Sequence, residues 1–467
     1  MREYNLFLKS FYKMWYFNLE VELFYKADCA TIFLMKRILL LLIGLAFYSL
    51  TAFGIEDKII VDMEGAMNVA LSNNIDLKSA KINIDIAKNN IKSANRLQNP
   101  SIDSFYFLGK AGNNEPRQIG LSLDIEIAKR KNRKNLAKSN LELVKKDFEY
   151  TAFDLKMDVR EAYVNLIEAK SILHTLEQQL ALQEELLKIA KNRVEYSKTP
   201  VIDAIQAEIA LNQIVTQVNT AKINVKNALS LFNKCINDPQ KTIYDSSDNI
   251  FAENNNFEEM QTPPPTLKYP DFSEIAEKAL SNRFDIKIAK QNIDIAEKEL
   301  KLVAGQKIPD LKISGGYGFI QGKYTDNGSL NNGAYVGASL INIPAFYNYS
   351  PEIQNATLKL QQSEFNYQSI ENKAIKDISM AYERFLTAKD NLNRYESNIV
   401  VGSEKLIETS KESYLKGEIS ITALIVMKQS YKSIIIGYTQ ALAEYYNSWT
   451  NFLREVNNED FNIIDLL

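Results

Sequence analysis

"ALSNNIDLKSAKINIDIA" (residues 70–87) recurs half a chain later as "ALSNRFDIKIAKQNIDIA" (279–296), with 13 of 18 positions identical at a constant offset of 209. Within each copy the apolar residues fall seven apart: Ala70, Leu77, Ile84 and Ile91 in the first, Ala279, Ile286, Ile293 and Leu300 in the second. Ala80 and Ala87, matched by Ala289 and Ala296, fill the other seam position, where small side chains let helices approach closely. The spacing predicts a duplicated chain, each copy opening on a helix that packs by heptads.

A longer helix follows in each copy. Val159, Leu166, Leu173, Leu180, Leu187 and Val194 hold one seam, and Ala162, Ala169, Leu176 and Ala190 the other. Nothing between Arg130 and Val194 breaks a helix, which at 1.5 Å per residue would run roughly 100 Å. The second copy repeats this from Glu352 to Tyr414, with Gly402 as its one soft point. A heptad rhythm kept this long predicts supercoiled helices.

Between the shorter and longer helices the period drops from seven to two. In "IGLSLDIEI" (119–127), Ile119, Leu121, Leu123, Ile125 and Ile127 alternate with Gly120, Ser122, Asp124 and Glu126. "SIDSFYFLG" (101–109) precedes it, and "LKISGGYGF" (311–319) and "YVGASLINI" (335–343) stand in the second copy, giving hairpins at about 101–127 and 311–343. Pro100 and Pro309 mark both changes from helix to strand. Such strands suit either an ordinary two-sided sheet or a membrane β-barrel. In the barrel reading the five apolar residues of 119–127 face lipid while Ser122, Asp124 and Glu126 face the lumen. Two hairpins cannot close a barrel, and open edges are not tolerated in hydrocarbon, so oligomerisation must supply the remaining strands.

The 467 residues carry a net charge of -3, which offers no basic surface to nucleic acid. Glycine is absent from Leu121 to Ala304, while seven glycines crowd between Gly315 and Gly337. Met35-Lys36-Arg37, the run "ILLLLIGLAFYSL" and Ala52-Phe53-Gly54 predict a signal peptide at 35–54, cleaved between Gly54 and Ile55, behind an upstream extension at 1–34. Repeats are then expected at 55–235 and 271–457, joined by an irregular connector at 236–270 and ending in a tail at 458–467. With cleavage, Cys235 is the only thiol left, and His174 is the only imidazole. That inventory offers no Cys/His metal cluster, no nucleophile–base pair and no phosphate loop, so neither cofactor nor enzyme chemistry is expected.

Five phrases, in order, resemble the TolC family of trimeric outer-membrane efflux channels. They are the paired helix phrases, the strand-to-helix exit "LDIEIAKRKNRKNLAKSN" (123–140), the second exit "INIPAFYNYSPEIQNATLKLQQSE" (341–364), and two helix-to-helix turns. The turns are "RVEYSKTPVIDAIQAE" (193–208) and "YLKGEISITALIVMKQ" (414–429). The resemblance spans about 59–457. It implies a mainly α fold with a membrane β-barrel part: four strands per chain in a trimeric twelve-stranded barrel, on a long coiled-coil tube in the periplasm.

It further implies an exit duct of a tripartite efflux system, passing metal cations or drugs from an inner-membrane pump and a periplasmic adaptor (membrane fusion) protein. The partners would be two further copies of the chain, outer-membrane lipid, the adaptor and the pump. The second exit is similar to the heavy-metal branch, which works with resistance-nodulation-division pumps. A duct for type I protein secretion and an exported coiled-coil scaffold or adhesin remain as alternatives.

The resemblance places a periplasmic gate at the two turns. Aligned without gaps, Ser197 falls opposite Gly417, Pro200 opposite Ser420 and Asp203 opposite Ala423. Tyr414 and Asp203 match the tyrosine and aspartate that latch the closed tip in relatives. The arginine position is Ile419, and the relatives' acidic entrance ring falls on Ala423 and Val426. A Tyr414–Asp203 latch without arginine or acidic ring is therefore expected. In the plainer alternative, Asp203 caps a helix and Tyr414 packs.

Overall fold

The computed structural model describes residues 58–106, 115–196, 200–248, 251, 272–321 and 333–457. The expected signal peptide, its Gly54–Ile55 cleavage site, Ser197, most of the connector and the tail lie outside them. The residues from Ile59 onward form one unit.

The repeated phrase is two helices, not one. Helix α1 (Met63–Asn73) stops at Asn74, and α2 (Ile75–Ala94) begins immediately after it. In the second copy α5 (Phe272–Asn282) stops at Arg283 and α6 (Phe284–Ala304) follows. Both junction residues leave the helical region, Asn74 at φ -53°, ψ 125° and Arg283 at φ -54°, ψ 129°. Asn74 caps α2 by accepting from the Leu77 amide at 2.9 Å, which is the N-cap role asparagine fills well. The heptad phase runs straight through the break, so periodicity alone could not reveal it.

Each break clasps the returning helix of its own repeat. The Asn74 amide donates to the Cys235 carbonyl, 2.9 Å away, near the end of α4 (Val201–Ile236). Arg283 donates to the Glu455 carbonyl at 2.9 Å and pairs with Glu455 (2.6 Å) and Asp285 (2.8 Å), at the end of α9 (Ile421–Val456). Burial works against the Arg283 charge, yet the two carboxylates hold its pKa above the usual value. Asn237 and Asn457 end those returning helices in the left-handed conformation, at φ 47° and 49°.

Between these junctions run the long helices. Helix α3 (Lys129–Glu195) is continuous over 67 residues. Its counterpart is interrupted: α7 (Ser350–Arg394) passes through a π-helical turn at Tyr395–Ile399 into α8 (Val400–Lys416). The two arms close antiparallel pairs, α3 with α4 and α8 with α9. Midway along the helices lies the main core, where Phe385 packs against Tyr445, Trp449 and Phe452. His174 is exposed beside Gln178. Within the connector, β4 (Tyr244–Ser246) pairs in parallel with β1 (Ile59–Val61), a strand that the lack of heptads there did not disclose. Lys170 of α3 holds it through Asp245 at 2.8 Å.

Four strands form the second sheet: β2 (Ser101–Tyr106), β3 (Glu115–Ile125), β5 (Asp310–Gln321) and β6 (Gly333–Ile341), in the order β2-β3-β5-β6 and antiparallel throughout. The hairpins of the two copies thus join through β3 and β5, and β2 and β6 are left as free edges. No helix among the described residues is long and apolar enough to cross a membrane.

The clasps generate a stability test. Asn74→Ala should lower stability by about 1–2 kcal/mol through its lost cap. Arg283→Met should cost about 2–3 kcal/mol, because two partly screened carboxylates lose their partner. Thermal melts of detergent-extracted protein would measure both.

Candidate functional site: a two-faced sheet and a helical tip

Register sorts the sheet into two faces. Ile102 pairs with Leu121, Leu121 with Gly315 and Gly315 with Val336; Leu123 pairs with Ile313 and Ile313 with Ala338. Partners across a ladder point to the same side. One face therefore carries Ile102, Ile119, Leu121, Leu123, Ile125, Ile313, Tyr317, Val336 and Leu340. Much of it is bare in the single chain: Val336 is 88% exposed, Ile102 74% and Leu121 58%. Ile127 is exposed too, but it lies past the end of β3, in the turn before α3.

The opposite face holds Asp103, Gln118, Ser122, Asp124, Lys312, Ser314 and Ser339, with glycines at 120, 316, 318, 333 and 337. Lys312 and Asp103 lie 3.5 Å apart. Ser122, on this polar face as its alternation predicts, is buried with its hydroxyl 2.7 Å from that of Ser101. The sheet is joined to the helices by polar contacts. Lys129 reaches Asp310 at 2.5 Å, and Asn342 donates to the same carboxylate oxygen at 2.9 Å. Arg130 and Arg133 donate to the Asn95 and Ala94 carbonyls at the end of α2, the usual place for cations at a helix C-terminus.

At the far end the two turns meet. Gly417, at φ 81°, ends α8: its amide donates to the Tyr414 carbonyl and that of Glu418 to Ser413, the pairing that closes a helix through a left-handed residue. Ser420 caps α9 by accepting from the Ala423 amide at 3.2 Å. Asp203 sits in the first turn of α4, whose cap is Pro200 without a side-chain bond. Tyr414 is buried with Leu186, Ala190, Ala207, Ile421 and Leu424.

The expected Tyr414–Asp203 bond is not what the single chain makes. Arg193 of α3 lies over the Tyr414 ring, 4.5 Å from its centroid, and donates to the Tyr414 and Leu415 carbonyls at 3.3 Å. Burial raises the Tyr414 phenol pKa; Arg193 draws it down by charge and hydrogen bond, and Asp203 pushes it up through its field alone. The arginine sought at position 419 thus comes from the other hairpin, 221 residues away from Tyr414. Ile419 packs on the apolar cluster instead. Val426 is exposed and Ala423 half-buried, with no carboxylate at either position. Among the described residues no group of three or more His, Cys, Asp or Glu could hold a metal ion.

Residues 66–232 match the model of the outer membrane efflux protein family. No curated protein matches the chain by sequence. Solved structures share the fold across most of both chains. The Campylobacter jejuni CmeC outer membrane channel is 19% identical over 86% of this chain and 88% of its own, with a TM-score of 0.68. The Vibrio cholerae outer membrane protein VceC is 13% identical over 85% and 96%, TM-score 0.68. The open-state Neisseria gonorrhoeae MtrE channel is 16% identical over 85% and 89%, TM-score 0.65.

Two outcomes follow from this geometry. Leu121→Arg, on the bare apolar face, should cost about 2–4 kcal/mol if it lies near mid-bilayer, whereas Gln118→Arg on the polar face should leave assembly unchanged. Heat-resistance of the extracted oligomer on gels would compare them. At the tip, Arg193→Ala should remove about 1–3 kcal/mol of contact and raise single-channel current in planar bilayers. Arg193→Lys should recover part of the loss, since it keeps the charge without the planar fork.

Proposed function

We propose, for a chain whose residues 66–232 match the model of the outer membrane efflux protein family and whose fold is that of solved outer-membrane channels, that it is the exit duct of a tripartite efflux system. The observation that carries this is the four-stranded sheet with one bare apolar face and two free edges, set on 67-residue helical arms. In lipid the free edges must pair, and three copies make a closed barrel of twelve strands. The apolar face then meets lipid and the polar, glycine-rich face lines the lumen. A coiled-coil scaffold or adhesin would leave that two-faced sheet without a purpose.

The duct works with a periplasmic adaptor and an inner-membrane pump, as family members do. The second exit, with "INIPAFYNYSPE" at 341–352, supports a resistance-nodulation-division pump and a cargo of metal cations or drugs. The tip closes the duct at rest, with Tyr414, Gly417, Ser420 and Asp203 forming its turns and Arg193 bracing Tyr414. Asp203 sits in the first turn of α4, where it complements the helix dipole, and in the assembled ring it becomes available to a neighbouring copy.

Detergent-extracted protein should scatter light as three chains and open pores in planar bilayers. A water-soluble monomer without channel activity would end this reading. Because Ala423 and Val426 supply no acidic ring, a trivalent cation added on the tip side should leave the wild-type current nearly unchanged. Cargo efflux should stop when a protonophore collapses the proton gradient while ATP is held constant; persistence would assign the duct to an ATP-driven pump.

A further inference from the structure

One transverse row on the polar face of the sheet runs Asp103, Gly120, Gly316, Tyr335, each paired with the next across β2, β3, β5 and β6. Tyr335 does not stand away from this row. A methyl group built on Gly120 would collide with the Tyr335 hydroxyl oxygen and lie 2.9 Å from the Gly315 carbonyl oxygen and 3.3 Å from the Tyr335 Cζ. A methyl group on Gly316 would collide first with the Ile119 carbonyl oxygen and lie 2.6 Å from the Gly120 Cα, both backbone of β3, and 2.9 Å from the Tyr335 Cε1. The ring therefore lies flat across two strands, on the bare backbone of two glycines. Glycine in a strand forfeits side-chain packing and often marks a close approach, and an aromatic laid over it restores the lost cover.

On the other face the neighbouring Gly315 has only the Tyr335 carbonyl oxygen near its Cβ position, at an ordinary 3.6 Å. The glycines that matter to the ring are those on its own side.

We propose that Gly120 and Gly316 form a seat that holds Tyr335 flat against the lumen wall, and that this seat sets the size of cargo the outer-membrane part of the duct lets out. The proposal rests on the duct reading above, in which this face lines the lumen. Each protomer contributes one such ring at the same height, so standing rings would converge on the pore axis while flat ones leave it clear. The seat fails when a side chain fills it: the ring must then tip inward, because the strands beneath cannot recede.

The test uses a thiol beyond the rings. Ser339 is exposed on the same face as Tyr335, four residues closer to the helical end of β6. In a Cys235→Ser chain, Ser339→Cys would be modified on intact cells by maleimides of graded size added from outside. A bulky reagent must pass the Tyr335 level; a small methanethiosulfonate passes regardless.

Gly120→Ala should slow the bulky reagent about threefold or more and leave the small one unchanged, as expected of a narrowed pore. Tyr335→Ala should leave both rates within about twofold of the parent, and Gly120→Ala with Tyr335→Ala should restore the bulky rate. Gly315→Ala, on the lipid side, should behave as the parent. If Tyr335→Ala alone speeds the bulky reagent severalfold, the ring stands upright and the proposal falls. It also falls if the double variant keeps the slow rate, since Gly120 then acts through its strand pairing. Should Gly120→Ala fail to assemble, the Tyr335→Ala comparison decides by itself. A parent thiol that even the small reagent cannot reach would instead overturn the duct reading, a result distinct from either of these.

Discussion

Backbone amides and carbonyls cannot be left unpaired in hydrocarbon, and the architecture of this chain follows from that constraint. The sheet joins both hairpins through β3 and β5 and leaves β2 and β6 with open edges. A single copy is thus unfinished in a bilayer. Closing the edges calls for other copies, and closure converts an apolar face and a polar face into an outside and an inside. In the proposed duct the helices inherit the same ring. Each copy of the duplicated phrase then occupies an equivalent place around it, which accounts for 13 identities in 18 positions across half a chain.

The parts that were legible in the sequence are those set by local rules. Helix α3 was bounded by the absence of glycine and proline and by its seam of Val159, Leu166 and later residues, and it runs from Lys129 to Glu195. Strict alternation in 119–127 gave β3 and its two faces, though the strand stops at Ile125 where the chain turns toward α3. What stayed hidden was set by contacts distant in sequence or by a change that leaves the heptad phase intact. The breaks at Asn74 and Arg283 keep the phase on both sides and are held by carbonyls of Cys235 and Glu455. The contact of Arg193 with Tyr414 joins two turns more than two hundred residues apart. Composition carries no trace of such a pairing, although both residues stood inside phrases that marked the tip.

Two kinds of fastening hold the structure. At the sheet base and the helix breaks, buried polar groups meet specific partners: Asp310 with Lys129 and Asn342, Arg283 with Asp285 and Glu455. Removing one member strands the other, so these contacts fix geometry more than they add net stability. At the tip, by contrast, a small apolar cluster and one arginine over a tyrosine ring do the holding. A tip held by few contacts opens at low cost, which suits the gating role proposed for it above.

The π-helical turn at Tyr395–Ile399 bears on symmetry. Ser350 to Lys416 spans the same 67 residues as the uninterrupted α3, but a π turn packs more residues into each turn of helix than an α turn does. The second arm therefore arrives at the tip rotated and foreshortened relative to the first. In the proposed trimer, a ring of six near-identical hairpins would be sixfold only on one side of that turn; on the other, alternate hairpins would differ in phase and the order would drop to three. Duplication made the two arms alike and one widened turn made them distinguishable, so that in the proposed duct a partner meeting the tube there would have a means of telling the two hairpins apart.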